Sequence, residues 1–252
     1  MSNLVLITGA TAGIGEATAL KLAEAGMNLV ITGRRKDRLE KLKKEIVTKY
    51  HVEVDLLAFD IQNRTEVEKA FDNYSKSPEI EVLVNNAGLS AGLSPLHEGD
   101  VEDWERMIDT NIKGLLYVSR KITPYMVGKR SGHIVNIGSI AGRNVYVNGN
   151  VYCATKSAVD ALTQGMRADL LPYGIKVSQV APGAVETEFS VVRFHGDEKR
   201  AAEVYKGFEP LIASDIADAI HYIITRPKHV NINDMLIMPT AQACAYYLHK
   251  NG

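Results

Sequence analysis

A chain of 252 residues with 46% hydrophobic and 23% charged residues has an ordinary globular make-up, and at that length it buries about 70–75% of its extended surface without disulfides or a metal. The net charge of −1 provides no global field for nucleic acid or an anionic membrane. The two cysteines, Cys153 and Cys244, lack metal-ligand spacing, and neither a basic leader nor an apolar run of about eighteen residues occurs, so a cytoplasmic protein is expected.

Strand-like and helix-like segments alternate along the chain. Residues 4–7 are a short apolar run ending in glycine, as suits a strand buried on both faces. Residues 15–25 read as a helix stopped by Gly26, 29–31 as a second buried strand, and 36–49 as a charged helix with Leu39, Leu42 and Ile46 as its stripe. Strands follow at 54–59 and 82–84 with a helix at 67–74 between them. Helical periodicity holds over 101–126, a strand over 134–137, a long helix over 151–171 and a strand over 177–180. A helix at 215–225 and a strand at 235–238 complete the series. Seven strands separated by helices predict one α/β domain over 1–252: a Rossmann-type, doubly wound, parallel seven-stranded sheet with helices on both faces. Residues 183–205 have mixed polarity and no clean period, and at the carboxyl edge of such a sheet they read as a substrate lid.

Between the first strand and the first helix runs Thr8-Gly9-Ala10-Thr11-Ala12-Gly13-Ile14-Gly15. Glycines here let backbone N–H groups approach a pyrophosphate, and the helix N-terminus attracts its charge. Gly9, Thr11, Gly13, Ile14 and Gly15 are therefore candidate dinucleotide-binding residues. Arg34 and Arg35 follow the second strand, Arg35 lying 35 − 15 = 20 residues past the last glycine. An acidic residue there would take the ribose hydroxyls of NAD, whereas two guanidiniums suit the 2′-phosphate of NADP.

With Asn85-Asn86-Ala87-Gly88, Asn111, Ser139, Tyr152-Cys153-Ala154-Thr155-Lys156, Pro182-Gly183 and Thr187 in this order, essentially the whole chain resembles the short-chain dehydrogenase/reductase family. The glycine spacing T-G-x-x-x-G-x-G is also that family's. The resemblance implies that Asp60 and Ile61 flank the adenine, that Asn86, Ala87 and Gly88 support the cofactor, and that Pro182, Gly183, Val185 and Thr187 line the nicotinamide. It also implies a homo-oligomer, most often a tetramer built from the helices near 101–126 and 151–171. Ala12 stands where many NADP-using members carry a basic residue, so the NADP expectation rests on Arg34 and Arg35.

The chemistry follows from the residue types. Oxidising an alcohol requires a base for the hydroxyl proton while hydride leaves the adjacent carbon. A phenol with pKa near 10 is a poor base at neutral pH unless its anion is stabilised. Tyr152 and Lys156, four apart on a helix, share a face, so the ammonium is expected to favour tyrosinate. Ser139, at the end of the preceding strand, is placed to donate to the substrate oxygen, and Asn111 resembles the family residue that holds a water chain to the lysine. No metal is required, and the seven histidines show no ligand spacing.

For the substrate, residues 187–197 and 229–240 look like the corresponding segments of NADP-dependent 3-hydroxy acid dehydrogenases, which act on serine, allo-threonine, 3-hydroxypropionate and related acids. A carboxylate beside the reacting carbon calls for a cation, and Arg143 and Arg193 are the two candidates. A reductase of a 3-oxoacyl carrier, sugar or aldehyde would carry the same core pattern. A non-catalytic NADP-sensing regulator would be expected to lose the tyrosine or the lysine, and both are present.

Overall fold

The computed structural model describes residues 4–251. Its first half contains β1 (Leu4–Ile7), α1 (Gly13–Glu24), β2 (Asn28–Gly33), α2 (Lys36–Tyr50), β3 (Val54–Ala58), α3 (Arg64–Asp72) and β4 (Ile80–Asn85). Then come α4 (Val101–Ile108), a π-helical segment (Asp109–Gly114), α5 (Leu115–Lys129), β5 (His133–Ile137), α6 (Asn150–Leu170) and β6 (Lys176–Pro182). The last part holds β7 (Val185–Glu186), α7 (Phe189–Arg193), α8 (Glu198–Tyr205), β8 (Leu211–Ile212), α9 (Ala213–Ile224), β9 (Asp234–Ile237), β10 (Gln242–Cys244) and β11 (Tyr247–Leu248). Seven strands form one parallel sheet in the order β3-β2-β1-β4-β5-β6-β9.

The apolar run of β1 is explained by what covers each face. Val5 and Ile7 point into a cluster with Leu22 of α1, Leu39 and Ile46 of α2 and Ile216 and Ile220 of α9. Leu6 points the other way, toward Phe71 of α3 and Val118, Ile122 and Met126 of α5. Alternation by one residue thus feeds two apolar layers, and each fully buried aliphatic side chain contributes about 1.5–3 kcal/mol. The sheet reverses its winding between β1 and β4, which leaves a crevice beyond their carboxyl ends.

Two regions differ from the sequence reading. The helical period over 101–126 is interrupted: the chain makes a π-helical segment at Asp109–Gly114 between α4 and α5. Its Asn111 is buried, accepting from Leu89 N (2.8 Å) and donating to Leu89 O (2.8 Å) and Thr155 Oγ1 (3.0 Å). These tertiary bonds offset the poorer local geometry of a widened turn. The expected irregular lid at 183–205 is instead two short helices, α7 and α8, packed on each other, with β7 pairing β8. A helix of five or eight residues shows too few turns for a period to be read. Residues 242–248 fold as the β10–β11 hairpin, and beyond it Asn251 N donates to Gly207 O (2.7 Å) just after α8.

His133, on the central strand β5, is 3% exposed, shares a hydrogen bond with Ser178 Oγ (2.8 Å), and its Nδ1 has no partner among the described residues. Burial, with help from the Lys176 charge, brings its pKa down to about 3. The folded protein therefore holds it neutral, and the associated stability is present above the ordinary histidine value near 6.5 and lost as pH falls toward 3. Urea titrations at pH 7 and pH 5 should show an acid-dependent loss of about 2 kcal/mol from this group. His133→Gln should remove that part of the pH dependence, whatever its effect at pH 7.

Candidate active site

The crevice is shaped by a close approach. Gly9 adopts φ +69, and a Cβ on it would lie 2.9 Å from the Cα of Ala87. The Thr8 hydroxyl accepts from the N–H groups of both Asn86 and Ala87 (3.0 Å each), and Asn86 Nδ2 donates back to Thr8 O (2.9 Å) and Gly9 O (3.2 Å). Gly15 is the second tight point, since its Cβ would fall 2.3 Å from Gly9 O. The residue capping α1 is Ala12, which offers no side-chain cap, so the first N–H groups of that helix remain available to an anion.

A cavity of about 480 Å³ runs along this turn. Gly9, Thr11, Gly13, Ile14, Arg34, Arg35, Asp60, Ile61, Asn86, Ala87 and Gly88 line it, and so do Ser139, Tyr152, Lys156, Pro182, Gly183, Val185, Thr187 and Arg193. Three residues from the sequence reading lie outside the lining. Gly15 sits behind the turn, Asn111 is bonded to the backbone of Leu89, and Arg143 pairs with Asp234. At one end Arg34 lies 3.7 Å from Asp60, while Arg35 donates to Thr11 Oγ1 (3.0 Å) and to Glu188 (2.9 Å).

At the other end α6 presents Tyr152 in its first turn and Lys156 one turn later. Lys156 Nζ donates to Ile137 O (3.0 Å), and burial brings its pKa down to about 8. For Tyr152, burial raises the phenol above its ordinary range and Tyr146 adds to this, while Ser139 and Arg193 pull it back. Desolvation thus dominates, and the groups that favour tyrosinate are Ser139 and Arg193 rather than the expected Lys156, whose Nζ is engaged by Ile137 O. Ser139 Oγ accepts from Ala141 N (3.1 Å), which fixes the oxygen and leaves its O–H to donate.

Arg193 reaches this end from α7. Its guanidinium lies 5.7 Å over the Tyr152 ring and 5.5 Å over Tyr146, and donates to the Tyr146 hydroxyl (2.5 Å). Phe189 packs edge-on against Tyr152 at 5.6 Å. Tyr146, Phe189, Tyr205, Phe208 and Leu248 also line the cavity and were not singled out from the sequence. Phe189 had a legible signal, standing two residues after Thr187; the others are brought in by tertiary folding alone.

The model for short chain dehydrogenases matches residues 3–197. The NADP-dependent 3-hydroxy acid dehydrogenase YdfG of Salmonella typhi is 45% identical over 96% of this chain and 97% of its own. The serine 3-dehydrogenase of Rhizobium radiobacter is 40% identical over 97% of each. Among solved structures, the closed form of a serine dehydrogenase complexed with NADP+ superposes with a TM-score of 0.91 at 42% identity, covering 98% of this chain and 99% of that one. The chain belongs to the short-chain dehydrogenase family. It is an oxidoreductase of that family's kind.

The Gly9–Gly15 contact is directly testable. Gly15→Ala forces the turn apart, and the expected cost is about 1–3 kcal/mol of stability together with weakened nucleotide binding. A thermal melt alongside a nucleotide fluorescence titration reads both, and an unchanged titration would mean that the turn yields without consequence.

Proposed function

We propose that this chain is an NADP-dependent oxidoreductase of small 3-hydroxy acids, moving a hydride between the cofactor and the carbon that bears the 3-hydroxyl. The observation that carries this reading is one continuous cavity, with the glycine turn, Arg34 and Arg35 at one end and Ser139, Tyr152, Lys156 and Arg193 at the other. The relatives named above, an NADP-dependent 3-hydroxy acid dehydrogenase and a serine 3-dehydrogenase, and the serine dehydrogenase structure complexed with NADP+ support the same reading. The residues fit the group: an uncapped helix N-terminus and left-handed glycines suit a pyrophosphate, and the arginine cluster suits a further phosphate. When bound, the cofactor accepts the hydride in oxidation and supplies it in reduction.

The chain's own residues then do the rest. Tyr152 Oη takes the hydroxyl proton during oxidation and returns one during reduction. The Ser139 O–H holds the substrate oxygen, and the Lys156 ammonium, steadied by Ile137 O, lies beside Gly88 at the cofactor wall. Asn111 ties that wall to α6 through Leu89 and Thr155. Of the two arginines considered for the substrate carboxylate, Arg193 faces the cavity and Arg143 is occupied by Asp234, so Arg193 takes the role. The reading further has the chain as a cytoplasmic homotetramer built on α4, α5 and α6, where Val101, Ile108 and Leu116 stand exposed.

Initial rates with NADP and NAD against serine, allo-threonine, 3-hydroxypropionate and 3-hydroxyisobutyrate test this. Tyr152→Phe should lower turnover by about 10²–10⁴-fold with NADPH binding retained. Arg193→Ala should raise KM for the acids by about tenfold or more while sparing an uncharged alcohol. NADPH binding without turnover of any 3-hydroxy acid would discard the substrate and keep the cofactor. The pH dependence has a definite sign: because burial holds Tyr152 protonated, alcohol oxidation should rise with pH through the neutral and mildly alkaline range, while carbonyl reduction, which uses the protonated phenol, should stay level there. A flat oxidation profile would remove Tyr152 from the role of base.

A further inference from the structure

We infer that Arg38 acts with Arg35 to hold the 2′-phosphate of NADP, and that the Glu188 carboxylate is an internal stand-in which that phosphate displaces. The inference rests on the NADP reading above. It adds a residue that does not line the cavity and gives a role to a lid carboxylate.

The geometry is that of a small anion gripped by two guanidiniums. Arg38 Nη1 donates to Glu188 Oε1 at 2.6 Å, and Arg35 Nη1 donates to Glu188 Oε2 at 2.9 Å. Arg35 is fixed from its other side by Thr11, through Nε and Nη2 to the hydroxyl (3.2 and 3.0 Å) and Nη2 to the carbonyl (3.3 Å). Thr11 belongs to the glycine turn, so this fork is held in register with the dinucleotide crevice. Arg34, by contrast, faces Asp60.

The sequence explains why an anion is needed there. Arg34, Arg35, Lys36 and Arg38 crowd the N-terminus of α2, where the helix macrodipole already disfavours cations. Asp37 in the first turn and Glu16 from α1 answer only part of that charge. The Arg38 contact, ahead of the Arg35 one, holds the Glu188 carboxyl below its usual range, so it is ionised at neutral pH. It is also 44% exposed, so its return to water carries little desolvation change. A phosphate monoester brings nearly two charges and three acceptor oxygens to the same fork. Both anions cannot share it, because their charges repel at hydrogen-bond spacing. The uncharged 2′-hydroxyl of NAD has no means of opening the Glu188 clamp.

Isothermal titration of the full-length protein with NADPH, NADH, 2′,5′-ADP and 5′-AMP tests the assignment. Arg38→Ala should raise Kd for NADPH and 2′,5′-ADP by about tenfold, leaving NADH and 5′-AMP unchanged. Glu188→Gln should do the opposite, lowering Kd for the two phosphate-bearing ligands by about two- to fivefold. NADH binding also reports whether each variant is folded. An equal effect of Arg38→Ala on NADPH and NADH would overturn the role of Arg38. Weaker NADPH binding in Glu188→Gln would overturn the stand-in, since the carboxylate would then be supporting the arginines. Arg35→Ala separates the two levels: if it fails to weaken NADPH selectively, the underlying cofactor reading falls as well. If it succeeds while the other two variants do not, the inference alone falls.

Discussion

The meeting of Gly9 with Ala87 is the constraint on which the remaining geometry depends. Two parallel strands end side by side, and the chain leaves them in opposite directions, so their following loops must pass within van der Waals reach. Only a residue with no side chain and a left-handed backbone fits at Gly9. The Thr8 hydroxyl then links the two loops by accepting the N–H groups of Asn86 and Ala87. Once that junction is set, α1 points its open end at the crevice, and Gly88 lies beside Asn111 and Lys156.

Electrostatics divide the cavity into two regimes. Around Arg34, Arg35, Arg38 and Glu188 the charges are partly solvated, so exchanging one anionic partner for another carries a small energetic cost. Around Tyr152 and Lys156 the groups are buried, and desolvation pushes both toward their neutral forms. A recognition site needs the first condition and a proton-transfer site the second. One short segment, 188–193, touches both regimes, with Glu188 at the solvated end and Phe189 and Arg193 packed at the buried one.

Legibility in the sequence followed the range of the interaction concerned. The sheet strands were readable because burial on both faces demands unbroken apolar runs such as Leu4–Ile7. The glycine turn and the Tyr152–Lys156 pair were readable because spacing along one chain fixes their relative placement. What escaped depended on distant segments. Nothing local distinguishes Arg143 from Arg193, and only the position of Asp234 on β9 removes the first from the cavity. Tyr146 reaches the site from the loop before α6, Tyr205 from α8 and Leu248 from β11. Burial of Tyr152 against Phe189 likewise depends on how α7 folds back onto α6, which no local pattern shows.

The π-helical segment between α4 and α5 carries an evolutionary implication. A widened turn holds one residue more than an ordinary helix, so deleting one position would restore regular hydrogen bonding along 101–129. Because the widened turn absorbs that residue, the Val118, Ile122 and Met126 stripe beyond it would keep facing the core. What the deletion would remove is the bulge itself, and with it the seat of Asn111 against Leu89 and Thr155. Local helix regularity and the placement of this one side chain are therefore in conflict here, and a smoother helix would come at the expense of the link between the Leu89 loop and α6.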